Sequence, residues 1–276
     1  MDMSSIQPRT ESSLKRLARH IRREKGIKLT DALNAAAQQA GYQNYQHFKN
    51  QAGAKVYDVE VEISASWRAL RPETEFGRVT GRVRLSRPVN ELVTPYGFAA
   101  SRRLNWFKVI DGRTLVADCR IEQRATALNF VGQAARTLQF IDATGLKPAR
   151  PRAKEDIVYD RGARHERMPR GDHAIYWKEP DTGRIFCMNE PYADASQLIP
   201  EQVDWAVRNG YEIRRLEWGS LYWLNGGTVC DLISHKETGA DIEKVITAMK
   251  AAPRAFDEEK DDVEETSGRH TPRIPA

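Results

Sequence analysis

The sequence predicts an α+β protein, a small helical module followed by antiparallel strand units that each pack with helices. Three observations predict it. Residues 11–50 space their apolar side chains at helical intervals, the period changes after Gly53 to an alternation of apolar with acidic residues over Val56–Ile63, and each strand-rich stretch closes in a helical pattern. At 276 residues, 40% hydrophobic and 29% charged, with a mean hydropathy of -0.63, the chain can bury one large core or two modest ones.

The first helix is read from Leu14, Leu17 and Ile21, with Arg16, Arg19, Arg22 and Arg23 on the remaining positions and Gly26 as its stop. A second helix starts at Thr30 as N-cap, carries Leu33, Ala36, Ala37 and Ala40 on one stripe, and ends at Gly41. Asn44 caps a short third helix holding Tyr45 and Phe48. These helices make a module over residues 1–52.

From Val56 to Ile63 the alternation of apolar and acidic residues predicts a strand, and Gly77–Leu85 a second. Trp106–Ile110 and Thr114–Cys119 flank Asp111-Gly112, the pair best suited to a tight primed turn, which predicts a hairpin. A long helix follows, with Leu128, Val131, Ala135, Leu138 and Ile141 in register and Gly145 at its end. Residues 53–146 are thus an antiparallel unit with one helix.

Residues 147–170, rich in proline and basic side chains, read as an exposed connector and domain boundary. Within 171–253, Ala174–Lys178 and Arg184–Met188 bracket the turn Glu179-Pro180-Asp181-Thr182-Gly183, and Pro200 opens a helix ending at Gly210. Strands are expected at Tyr211–Trp218, Leu221–Leu224 and Thr228–Ile233, the last two joined across Asn225-Gly226-Gly227, then a helix from Asp241 to Met249. Trp205, Tyr211, Trp218, Tyr222 and Trp223 read as core. The tail, residues 254–276, packs seven acids and one lysine into Asp257–Glu265 and reads as disordered.

Charge is unevenly placed. Residues 1–170 hold 31 Lys+Arg against 18 Asp+Glu, a net of +13, whereas residues 171–276 hold 12 against 20, a net of -8. A basic half that meets double-stranded DNA and an acidic half that meets a protein partner would produce this asymmetry. No apolar run approaches the roughly 18 residues of a spanning helix, and the first thirty residues lack a signal-peptide centre, so a cytoplasmic location with no membrane contact is expected. Cys119, Cys187 and Cys230 are widely spaced and read as buried thiols. No nucleophile elbow, phosphate loop, dinucleotide fingerprint or paired-histidine zinc motif occurs, so no reaction and no cofactor is implied.

The segment Ala37 to Phe48, with an alanine before a Gly-Tyr turn and a phenylalanine seven residues after the glycine, resembles the helix-turn-helix of arabinose-regulator-type transcription factors. That resemblance implies DNA contact by Gln43, Gln46, His47 and Lys49, beside the four arginines of the first helix. Gly41-Tyr42-Gln43-Asn44-Tyr45, Leu85-Ser86-Arg87-Pro88, Leu92-Val93-Thr94-Pro95, Ala143 to Pro148, Asp172-His173 and Glu190-Pro191-Tyr192 together resemble a proteobacterial family carried on plasmids and integrative elements. Its N-terminal helical unit is similar to that of proteins labelled glyoxalase-superfamily. This implies an architecture and a mobile-element setting, with no reaction attached.

Asp172, His173 and Glu190 form the candidate polar site, because paired hairpin strands bring their ends together. Glyoxalase-like folds hold a metal with such residues, but here a turn replaces the helix expected after the first strand, and no metal is assigned. The leading expectation is an accessory protein binding DNA or a protein-DNA assembly. The alternative is an enzyme or small-molecule or metal binder with its site near His173 and Glu190.

Overall fold

A computed structural model describes residues 11–46, 48, 55–69, 74–152, 155–158, 166–191, 198–217, 229–260 and 263–270. The chain has the expected α+β class, and it divides into two compact units, residues 1–56 and 57–276.

In the first unit, α1 (Glu11–Lys25) and α2 (Leu29–Gln39) pack through Leu14, Ala18, Ile21, Ala32, Ala36 and Ala37, joined by Phe48. The cap of α2 is Lys28, with no side-chain hydrogen bond, so Thr30 lies inside the first turn instead of capping it. At the other end Tyr42 N donates to Ala37 O at 2.9 Å and Gly41 N to Gln38 O at 3.0 Å, with Gly41 at φ +88°. This pair of bonds closes the helix only if the residue after its end is left-handed, which glycine permits. One further helical turn follows, with Phe48 N bonded to Asn44 O at 2.9 Å, and the Tyr42 and Tyr45 rings lie on Phe48 at 5.0 and 6.2 Å.

Among the described residues, the second unit holds two five-stranded sheets. The first has the order β10-β2-β1-β4-β3, from β1 (Val59–Ala69), β2 (Thr74–Leu85), β3 (Phe107–Val109), β4 (Thr114–Ala117) and β10 (Val263–His270). The β3–β4 hairpin turns at Gly112, φ +77°. The sheet is not wholly antiparallel, because β4 runs parallel to β1. The chain reaches β3 from β2 through two short helices, α3 (Val89–Leu92) and α4 (Pro95–Ala100), which sequence reasoning missed. The signal for α4 was present: Thr94 caps it, its hydroxyl accepting from Gly97 N at 3.2 Å, and Pro95 opens the first turn.

The second sheet is antiparallel throughout in the order β5-β6-β7-β9-β8, from β5 (Lys147–Ala149), β6 (Ile175–Lys178), β7 (Ile185–Asn189), β8 (Tyr211–Glu217) and β9 (Val229–His235). Between the sheets runs α5 (Arg124–Thr144), ended by Gly145 at φ +72°. Every residue from Val131 to Ala143 is buried, so the helix is enclosed on all sides. Trp177, Phe186, Met188, Cys230 and Leu232 share its core, and the Phe140 and Trp177 rings meet at 4.5 Å. Their alternate neighbours Tyr176, Cys187 and Ile233 face the opposite core, under Trp205 and Ala206 of α6 (Pro200–Asn209). The unit is completed by α7 (Ile242–Ala251), capped by Asp241.

Two boundaries differ from expectation. Residues 147–170 are not a bare connector: Lys147–Ala149 form β5, and Ile157, Val158 and Met168 are buried in the second core. The proline-rich composition hid these few apolar residues, and one core spanning both sheets leaves no domain boundary there. Nor is the whole tail from Arg254 disordered. Val263–His270 adds β10 to the edge of β2. Its acids meet cations of the middle segment: Glu264 accepts from Arg82 at 2.8 Å, Glu265 from Arg124 at 2.7 and 2.5 Å, and Glu258 from Arg136 at 2.7 Å. Leu221–Leu224 and the turn at Asn225-Gly226-Gly227 lie outside the described residues.

Candidate functional site

In the first unit the buried stripe of α1 is Leu14, Ala18 and Ile21. At 100° per residue, Arg16, Arg19 and Arg23 fall on the other side of the helix and Arg22 flanks the stripe beside Ala18, and all four are exposed. Among the described residues none of the four pairs with a carboxylate. Gln43 and Gln46 are also exposed, beyond the glycine turn, and Gln38 Nε2 donates to the Gln43 carbonyl at 3.4 Å. His47 and Lys49 lie outside the described residues. Phe48 is fully buried, so the short turn presents its polar residues from an anchored backbone.

In the second unit Asp172 and His173 do come together. The His173 Nε2 to Asp172 Oδ2 distance is 3.1 Å, and Asp172 Oδ1 accepts from His173 N at 2.8 Å. His173 has φ +49°, a left-handed conformation that is uncommon outside glycine. Burial holds its imidazole below the usual histidine range; Asp172 opposes this, and Arg103 and Arg102 reinforce it. Asp172 N donates to Asn189 Oδ1 at 2.8 Å, which bridges β7 to the segment before β6.

That bond leads into a network across three strands. Asn189 Nδ2 lies 3.4 Å from Asp231 Oδ2, and Arg215 holds the fully buried Asp231 through Nε at 2.8 Å and Nη2 at 3.2 Å. Asn189, Asp231 and Arg215 sit directly opposite one another in register, which explains their contact. Glu190 is also buried, but it stands on the alternate face with Phe186 and Met188. Side chains of that face point to the α5 core, whereas Asn189 and Asp231 point to the α6 core, so Glu190 does not join them in one constellation. Among the described residues no group of three or more His, Cys, Asp or Glu is arranged to hold a metal ion.

The chain matches no family model, no curated protein and no solved structure.

A second buried acid belongs to the same face of the sheet. The Tyr176 hydroxyl donates to Asp156 Oδ1 at 2.7 Å and accepts from Ile157 N at 3.0 Å, and burial pushes the phenol well above its usual range. Sequence reasoning missed this pair, as it missed Arg215 with Asp231, because each joins residues that only the sheet brings together. Burial likewise raises the Cys187 and Cys230 thiols, so both stay protonated and unreactive at neutral pH. His235 accepts from the backbone N–H groups of Glu237 and Thr238 at 3.3 Å and orders the turn after β9.

Proposed function

We propose that the protein binds double-stranded DNA, alone or within a protein-DNA assembly, through the arginine face of α1. The observation that supports this most is the set of four exposed guanidinium groups on one helix, with no carboxylate partner among the described residues. Such a face attracts a polyanion, because each phosphate contact releases condensed counterions. Gln43 and Gln46, exposed just past an anchored turn, supply donors and acceptors of the kind that read base edges. His47 and Lys49 extend the same polar stretch in sequence.

The C-terminal half supports contact with a protein instead. The tail acids Glu258, Glu264 and Glu265 are engaged within the fold, so the acidic character available to a partner lies elsewhere. On α6, Val203 and Val207 are one turn apart and exposed, beside the acidic Glu201 and Asp204. An accessory role on a mobile element, suggested by the sequence resemblance, fits a protein with two such faces.

The test is a salt titration of duplex DNA binding by the full chain. Four phosphate contacts give a log-log slope of about -3.6. Replacing Arg16, Arg19, Arg22 and Arg23 with glutamine should flatten that slope and remove most of the affinity while leaving thermal unfolding nearly unchanged. Absence of binding by the folded full chain at low salt would overturn the reading.

A further inference from the structure

A cleft in the second unit wraps the outer edge of β5 and encloses about 600 Å³ between the start of α4, strand β5 and the β6–β7 turn. Lys147, Arg150 and Lys178 line it, all three are exposed, and none of them pairs with a carboxylate among the described residues. The lining carboxylate, Glu155, is bound to Arg152, so that pair adds no net charge. The cleft continues past Gly183 and Ile185 into a neighbouring one, where the exposed Arg184 joins the lining. Past Pro148–Arg150 it continues into a third, which holds the exposed Arg102. Among the described residues these two arginines also have no carboxylate partner, and the result is a track of five cations along one sheet edge.

Lys147 and Lys178 stand directly opposite each other in the β5–β6 pair. Like charges at such a position have their Cβ atoms about 5 Å apart and destabilise the sheet. Lys178 lies over Gly183, which leaves it room: a Cβ there would be 3.4 Å from Lys178 Cε and 3.9 Å from Nζ. A lone lysine on an edge strand guards it against pairing with other chains. That role accounts for neither the second lysine opposite it nor Arg150 on the same rim. An anion between the two ammonium groups removes the repulsion, and a chain of anions serves the whole track.

The mouth of the cleft carries an aromatic ring. Tyr96 lines it from the first turn of α4 and is 76% exposed. That turn is well anchored, because Thr94 caps it and the buried Gly97 sits against Val93, with Pro148 of β5 within 4.0 Å of where a side chain would start. A large ring is thus kept in water beside three cations. We propose that this groove binds single-stranded DNA, with Lys147, Arg150 and Lys178 on the phosphates and Tyr96 stacked on a base. Stacking and phosphate contact are the two parts of sequence-tolerant single-strand recognition. A duplex keeps its bases stacked inside and presents a convex backbone to the cleft, and an acidic peptide would neutralise the cations but offer Tyr96 no base. The choice of DNA over RNA rests on the reading of the α1 face; the groove itself is independent of that reading.

The test is the binding of a fluorescent oligothymidylate of about 15 nucleotides, read by anisotropy. It uses the full chain carrying Arg16→Gln, Arg19→Gln, Arg22→Gln and Arg23→Gln, so that the α1 face is silent. Saturable binding is expected at low salt, with a log-log salt slope of about -3.5 for five phosphate contacts. Adding Lys147→Gln, Arg150→Gln and Lys178→Gln should flatten that slope by about 2 while leaving thermal unfolding nearly unchanged. Tyr96→Ala should weaken binding by about five- to hundredfold, and Tyr96→Phe should restore it, since the ring and not the hydroxyl stacks. Absence of binding by this chain, or affinity unchanged by Tyr96→Ala, overturns the proposal, whatever the parent does with duplex DNA. A hairpin duplex or polyglutamate that binds this chain as tightly as the oligothymidylate at equal salt overturns it as well. An oligouridylate bound about tenfold more tightly overturns the choice of DNA.

Discussion

Glu258 and Arg136, which lie 122 residues apart in the chain, meet at 2.7 Å over α5, and the guanidinium is buried there. Arg136 Nη1 also donates to Phe256 O at 3.2 Å, while Gln139 donates to Arg254 O at 3.0 Å and accepts from Phe256 N at 2.8 Å. The polar side of α5 is thus covered by residues 254–258. A cation enclosed in this way depends on its acid. Glu258→Ala should cost about 3 to 5 kcal/mol, the range for breaking a buried pair on one side, measured by denaturant unfolding.

Glu265→Ala supplies the contrast. Its pair with Arg124 is bidentate, but Arg124 is more than half exposed and water screens the interaction. The expected loss is about 1 kcal/mol or less, and it should shrink further in high salt. Equal losses for Glu258→Ala and Glu265→Ala would contradict this account of the tail.

Gly81 stands where β2 passes beneath α5. A methyl group there would lie 2.7 Å from Val131 Cγ1 and 2.8 Å from Phe256 Cζ, inside contact distance of two buried side chains. Gly81→Ala should therefore destabilise the second unit by about 1 to 3 kcal/mol despite the better strand propensity of alanine. Calorimetric unfolding of the full chain would reveal it as a lower Tm.

Tyr176→Phe removes one hydroxyl and with it two bonds, the donation to Asp156 and the acceptance from Ile157 N. Both partners are buried, so the cost is set by the groups left behind. A loss of about 1 to 3 kcal/mol is expected in denaturant unfolding. A loss of only a few tenths would mean that Asp156 and Ile157 N find other partners.

Stability should also fall as pH drops through the range just below 6.5, owing to His173. Burial holds its folded pKa below the usual histidine value, so in this window the unfolded chain binds more protons than the native state. The neutral imidazole's contribution is present above the unfolded pKa and is lost on acidification down to the folded one. His173→Asn, which tolerates the left-handed backbone, should flatten the pH dependence of unfolding between about pH 7 and 5.

In the first unit, Phe48→Ala should unfold the module. The ring is fully buried beneath Tyr42 and Tyr45, and removing it from so small a core should cost about 3 to 5 kcal/mol. Circular dichroism of the full chain should lose helical signal at a lower temperature than the parent. Gln43→Ala with Gln46→Ala should leave that transition within about 0.5 kcal/mol of its original stability.

The sequence by itself determined the local elements, because each is encoded within a short window. Asp111-Gly112 made the β3–β4 turn readable, Gly41, Gly145 and Gly210 marked helix ends, and alternation marked the strands. The arginine face of α1 was legible for the same reason, since a helical period alone sets Arg16, Arg19, Arg22 and Arg23 apart from Leu14, Leu17 and Ile21. Tertiary structure decided what residues far apart do together. Val263–His270 has no local apolar stripe to declare a strand; it becomes one because β2 offers an open edge and Arg82 and Arg124 meet its glutamates. Glu190 looked like a partner of His173 by hairpin logic, yet pleating turned it to the other core. Arg215 with Asp231 and Tyr176 with Asp156 were likewise announced by no spacing in the chain, because only the pairing of the second sheet and the burial of its core bring each pair within bonding distance.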